Sequence, residues 1–157
     1  MTTQHARLSV SSPEETTRLA QKLGQCLQPG DVILMQGGIG AGKTHFARSL
    51  IQSLQDQPED VPSPTFTLVQ VYDTNAGELW HADLYRLGSP DECVELGLAD
   101  AFETAICLIE WPDRLEDLSP DTALHLHLID AAQNDSRDVV FSWAANRWTD
   151  VVAGLRT

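Results

Sequence analysis

Eight consecutive residues carry the plainest chemistry in this chain: Gly37-Gly38-Ile39-Gly40-Ala41-Gly42-Lys43-Thr44. Gly37, Gly42, Lys43 and Thr44 satisfy Gly-x-x-x-x-Gly-Lys-[Ser/Thr], a spacing with a mechanical basis. Glycines let the backbone wrap an anion with its N–H groups turned inward, and a helix beginning at the lysine aims its positive end at the same charge. Lys43 then reaches the β- and γ-phosphates of a nucleotide, and the Thr44 hydroxyl ligates Mg²⁺. A chain this short matches the pattern by accident well under about 1% of the time. The expected ligand is ATP with Mg²⁺.

Triphosphate chemistry asks for a further carboxylate on the Mg²⁺ side, usually at the end of a buried strand. Ile106-Cys107-Leu108-Ile109-Glu110 offers one. A carboxylate directly after four apolar residues is costly if buried unpaired, and Mg²⁺ is its natural partner; the alternative is a strand end emerging into solvent. Asp83, within His81-Ala82-Asp83-Leu84-Tyr85-Arg86, is the other acid at a strand end, with a surface acid or an ion pair to Arg86 as competing readings. Trp111 follows Glu110 and suits either the core or a lid. The segment Val61 to Thr67, rich in prolines and hydroxyls, suits a mobile element sensing the γ-phosphate or a rigid connector.

These residues need a scaffold. Ser12-Pro13-Glu14-Glu15 starts a helix that ends at Pro29-Gly30, with Leu19, Ala20, Leu23 and Leu27 on one face. Asp31 to Gln36 reads as a buried strand, and Lys43 to Gln55 as the helix after the loop. Thr65 to Tyr72 and Glu78 to Tyr85 form a hairpin around Thr74-Asn75-Ala76-Gly77. A short acidic helix runs from Ser89 to near Gly97, and Ala105 to Ile109 is a second buried strand. Thr122 to Ile129 and Asp138 to Trp143 close the sheet around Asn134-Asp135-Ser136, before a final helix after Ala145. The expectation is a single α/β domain over residues 1–157, P-loop NTPase-like, with a mixed parallel and antiparallel central sheet flanked by helices. Leu8 to Ser12, just before the first helix, is a candidate for the base pocket.

Bulk properties narrow the partners. Ten Lys and Arg against 23 Asp and Glu give a net charge of −13, which repels polyphosphate backbones. A nucleic-acid role would have to pass through a protein with a basic surface. Cys26, Cys93 and Cys107 form no Cys-x-x-Cys pair and read as reduced packing residues. The N-terminus has no signal-peptide pattern and no apolar run spans a bilayer, so a cytoplasmic location is expected. An Asn-Lys-x-Asp guanine-reading motif is absent, which disfavours a GTPase. A small-molecule P-loop kinase is the alternative, but the arginines are spread singly with no cationic lid.

Further blocks follow the loop in order: Ser63-Pro64-Thr65-Phe66-Thr67-Leu68-Val69, His81-Ala82-Asp83-Leu84-Tyr85-Arg86-Leu87, Glu95-Leu96-Gly97-Leu98 and Leu108-Ile109-Glu110-Trp111-Pro112. Over roughly residues 10 to 145 the set resembles the TsaE (YjeE) family, the ATPase subunit of bacterial tRNA threonylcarbamoyladenosine synthesis. That resemblance implies that Thr44 and Glu110 hold Mg²⁺ and that Asp83, near the γ-phosphate, is needed with Lys43 and Glu110 for hydrolysis. It implies nucleotide contacts from Gly38, Ile39, Gly40, Ala41, Gly42, Lys43, Thr44, His45, Asp83, Trp111 and Arg137. Ser63, Thr65 and Thr67 would belong to a switch-like loop. It further implies partners resembling TsaD and TsaB, which carry out the transfer onto tRNAs reading codons that begin with A, with tRNA met only through that complex. Two positions depart from the family pattern: Gly38, commonly an acid, and His45, commonly a threonine. Neither departure removes a phosphate or Mg²⁺ contact.

Overall fold

A computed structural model describes residues 3–38, 42–64, 68–130 and 136–156. Its centre is a seven-stranded sheet in the order β1-β7-β6-β2-β5-β4-β3. The strands are β1 (Gln4–Val10), β2 (Val32–Gln36), β3 (Val69–Thr74), β4 (Gly77–Asp83), β5 (Ile106–Glu110), β6 (Leu124–Asp130) and β7 (Arg137–Trp143). β2 runs parallel to β5 and β6, and β4 parallel to β5, whereas β3–β4, β6–β7 and β1–β7 are antiparallel. The sheet is therefore mixed, as the hairpin around Thr74 to Gly77 implies.

Strand alternation sorts the side chains into two layers. Ile33, Met35, Leu79, Ile106 and Leu108 face helices α1 (Pro13–Gly24), α2 (Lys43–Ser53) and α5 (Arg147–Leu155), packing with Leu23, Phe46, Leu50 and Trp148. Val32, Leu34, Ala82, Cys107 and Ile109 face the opposite way. They meet α3 (Pro90–Glu95), α4 (Leu98–Thr104) and the short 3-10 turns of Pro112–Leu118 through Cys93, Leu98, Ala101 and Leu115. The four apolar residues of β2 are all buried, because both faces of this central strand are covered.

Three elements lie beyond the sequence expectations: β1, α4 and the 3-10 turns of Pro112–Leu118. β1 is an edge strand: Ala6 and Leu8 are partly buried against the core and Val10 is buried in it, with polar residues between them. The ion pair of Arg7 with Asp138 (2.5 Å) helps register it on β7. Leu8 to Val10 thus form the end of a paired strand, and Ser12 caps α1 by accepting from the Glu15 N–H at 3.2 Å. α4 follows α3 directly through Gly97, whose φ of +84° suits a residue without Cβ; a Cβ there would also lie 3.4 Å from the Trp80 ring. Strand bounds shift as well: the first hairpin strand begins at Val69, and β4 ends at Asp83.

At the sheet end far from the glycine-rich loop, Arg147 of α5 clamps Asp31. Its Nε donates to Asp31 Oδ1 at 2.8 Å, and its Nη2 donates to Asp31 Oδ2 and, at 2.7 Å, to the Cys26 carbonyl. Asp31 is 6% exposed. Arg147→Ala leaves that carboxylate buried without its cation, and is expected to cost about 2–3 kcal/mol in urea unfolding. A change below about 0.5 kcal/mol would show that solvent replaces the clamp.

Candidate functional site

The site is assembled where β2, β5 and β4 end beneath the first turn of α2. Gly42, the N-cap of α2, sits at φ +101°, a left-handed conformation that glycine adopts without strain. No side chain caps this helix, and its first turn carries no acid. Its leading N–H groups are thus left for an external anion. α1 differs, with a capping serine and two glutamates in its first turn.

Lys43 is 6% exposed and donates to the Gly37 carbonyl at 2.5 Å, while its ammonium lies 3.7 Å from the centroid of the Trp111 ring. Burial lowers its pKa; the charges of Glu110, Asp83 and Asp113 pull the other way and support the cation. Trp111 holds φ +59° and ψ +55°, costly for a bulky residue, and this places its indole against the lysine instead of in the strand line. Tyr85 packs on the same indole, ring centroids 4.9 Å apart, with the Arg114 guanidinium 6.0 Å from the tyrosine centroid. Trp111 is half-buried: it packs against the core on that side of the sheet and also lies against the Lys43 ammonium.

The acids meet because β4 and β5 are parallel and in register, Asp83 opposite Glu110. In each strand alternation turns the terminal acid toward α2: Leu79, His81 and Asp83 share one face of β4, and Ile106, Leu108 and Glu110 one face of β5. Glu110 is 2% exposed, so it does not emerge into solvent. Its Oε1 and Oε2 lie 3.2 and 3.4 Å from the Thr44 hydroxyl, which donates to the carboxylate. Asp83 is 6% exposed, and its Oδ1 accepts from the Tyr85 N–H at 3.0 Å, not from Arg86. Burial holds the Asp83 carboxyl above the ordinary carboxylate range and Glu110 adds to this, while the Tyr85 N–H, His81 and Lys43 pull it down.

The donors suit Mg²⁺: a hydroxyl and a carboxylate converge, hard oxygen ligands that leave the remaining positions to phosphate and water. Among the described residues no group of three or more His, Cys, Asp or Glu forms a metal cage, and the Mg²⁺ of nucleotide sites does not ask for one.

His81, which no sequence motif marks as a site residue, also belongs to the site. It is fully buried, with Nε2 2.6 Å from Glu110 Oε2. The available signal was its place two residues before Asp83, hence on the same strand face.

The remaining expected residues fall as follows. Gly38 is exposed beside the loop, and Ile39, Gly40 and Ala41 lie outside the described residues. The His45 imidazole is turned toward α1, with Nε2 3.0 Å from Thr17 Oγ1 and 3.4 Å from the Pro13 carbonyl. Ser63 is exposed, and Thr65 and Thr67 lie outside the described residues. The flanks of that segment are tied down. Arg48 Nε donates to the Val61 carbonyl at 3.0 Å, the Leu68 N–H to Pro64 at 2.7 Å, and the Asp83 N–H to Leu68 at 2.9 Å. Arg137 begins β7 at the loop end of the sheet, two strands from β2, and its Nε meets Asp130 Oδ1 at 3.1 Å.

A mixed sheet with an open-ended helix after a Gly-Lys-Thr loop defines a P-loop NTPase-like protein. The family model "Threonylcarbamoyl adenosine biosynthesis protein TsaE" matches residues 10–139. The chain belongs to the TsaE family. It is 40% identical over 121 residues to the tRNA threonylcarbamoyladenosine biosynthesis protein TsaE of Rickettsia felis, covering 77% of this chain and 71% of that one. The TsaE protein of Bacillus subtilis is 36% identical over 138 residues, covering 87% and 85%. Among solved structures, Bacillus subtilis YdiB superposes with a TM-score of 0.80 at 29% identity, over 99% of this chain and 96% of that one. No helix among the described residues is long and apolar enough to cross a membrane.

Proposed function

We propose that this protein is an Mg²⁺-dependent ATPase that supports formation of threonylcarbamoyladenosine in tRNA, working beside TsaD-like and TsaB-like proteins. The observation that carries the reading is the meeting of Lys43, Thr44, Asp83 and Glu110 at one end of the sheet. Phosphate would be cradled by the α2 N-terminus with Lys43 leaving Gly37 for the β- and γ-phosphates. Thr44 and Glu110 would hold Mg²⁺, which supplies charge neutralisation on those phosphates. Asp83, with its raised pKa, would orient the attacking water and accept its proton.

The charge fits protein partners, which the family resemblance suggests. A surface of −13 suits docking on a basic protein face and not clamping tRNA. The kinase alternative asks for several cations closing over the phosphoryl group; Arg7, Arg48, Arg137 and Arg147 hold Asp138, Val61, Asp130 and Asp31, while Arg114 lies near Tyr85 beside the site.

The deciding experiment is threonylcarbamoyladenosine formation over several turnovers, reconstituted from the transfer proteins with and without this chain. Sustained turnover only in its presence, and only with ATP that can be hydrolysed, is expected. Equal turnover without it would overturn the proposal.

A further inference from the structure

The imidazole of His81 is wholly buried at the floor of the site, reached from β4 and touching a carboxylate on β5. Such a group is costly to keep dry without a purpose, since each of its nitrogens must be satisfied or left to strain. Nε2 lies 2.6 Å from Glu110 Oε2, the geometry of a charge-assisted hydrogen bond. A carboxylate oxygen accepts, so the hydrogen belongs on Nε2. Nδ1 has no hydrogen-bond partner among the described residues. That second nitrogen decides the role. A relay would need a partner on each side of the ring, whereas His81 serves one carboxylate.

Glu110 is thereby held from two directions. His81 binds Oε2 from the sheet side, and the Thr44 hydroxyl approaches from α2, nearer to Oε1 at 3.2 Å than to Oε2 at 3.4 Å. A glutamate at a strand end has three rotatable torsions, and fixing one oxygen removes most of that freedom before any ligand arrives. The pair Oε1 and Thr44 Oγ1 then remains for a cation.

We infer that His81 is a positioning residue, which pins Glu110 Oε2 so that Oε1 and the Thr44 hydroxyl present a preformed two-oxygen seat for the divalent cation. This rests on the reading of Thr44 and Glu110 as the Mg²⁺ pair. It goes beyond that reading by placing the cation's affinity under the control of a residue that touches neither nucleotide nor metal.

The test measures affinity for a non-hydrolysable ATP analogue by calorimetry across a Mg²⁺ series, with EDTA as the metal-free limit. Glutamine carries a side-chain N–H₂ close to where Nε2 lies, and asparagine is too short to reach. His81→Asn should lose about 10- to 100-fold in apparent Mg²⁺ affinity with EDTA-limit affinity unchanged, and His81→Gln should recover most of it. A structural role would lower the EDTA-limit affinity as well, and would not separate the two variants.

Should His81→Asn not fold, ¹H–¹⁵N spectra of the wild-type ring carry the test. A strongly downfield Nε2 proton that is lost in Glu110→Ala supports the inference, and hydrogen found on Nδ1 alone overturns it. Wild-type Mg²⁺ affinity in His81→Asn, with affinity lost in Glu110→Ala, overturns the inference and leaves the metal reading standing. A wild-type protein whose nucleotide affinity ignores Mg²⁺ overturns both.

Discussion

Replacing Asp83 by asparagine is expected to slow ATP hydrolysis by about 10²- to 10⁴-fold while nucleotide affinity stays close to wild type. The side chain is nearly isosteric and keeps an oxygen for the Tyr85 N–H, so the loop after β4 should hold its shape. What disappears is a proton acceptor. Burial has raised the pKa of that acceptor, which makes it a better base at neutral pH than an ordinary aspartate. Single-turnover hydrolysis set against calorimetric affinity separates the two effects. Equal losses in both would show that Asp83 binds and does not act on water.

The same substitution has an opposite effect on stability. A carboxyl whose folded pKa lies above its unfolded one binds its proton more tightly when folded. Its contribution is complete below the unfolded value, about 3.9, and is lost as pH rises through the raised folded value. At neutral pH the nucleotide-free protein therefore bears the cost of an ionised buried acid. Asp83→Asn removes that cost, so it should melt higher than wild type at pH 7, with a flatter stability profile from pH 4 upward. A lower melting temperature at pH 7 would contradict the assigned environment.

Lys43→Ala should lower ATP affinity by about 10²- to 10³-fold, the loss of roughly 3–4 kcal/mol that accompanies removal of a desolvated charged partner. Lys43 is buried and bonded to Gly37, so its ammonium is already held where phosphate would arrive. Its removal also takes away the cation that supports Asp83 and Glu110 and the partner of the Trp111 ring. Arginine is not a conservative substitute, because it replaces a compact, strongly hydrated point charge with a longer, delocalised fork. Calorimetric titration with ATP and Mg²⁺ measures the change, and a loss under about tenfold would mean that backbone N–H groups alone carry the phosphate.

The Gly-Lys-Thr loop, its flanking strand and helix, and the two acids at strand ends were legible because each is a local pattern. Glu110 stands out against four apolar neighbours, and Asp83 stands near the end of the returning hairpin strand, beside a loop. Their adjacency was not legible, since it depends on β4 pairing with β5, elements separated by the 22 residues between Asp83 and Ile106. The bond from His81 to Glu110 spans 29 residues and is invisible to any window along the chain. Trp111 was placed by a left-handed backbone that no side-chain pattern announces. β1 does alternate, Ala6, Leu8 and Val10 against Arg7 and Ser9, but the run is short and only Val10 is buried.

The register of β4 on β5 also makes the strands into a ruler. Because side chains change face at every residue, inserting or deleting one residue between Leu79 and Asp83 would turn His81 or Asp83 away from α2 while leaving the composition almost untouched. The hairpin turn between Thr74 and Gly77 can absorb a change of length, and the strand cannot. Viable length variants of this protein should therefore carry their insertions outside β4 and β5.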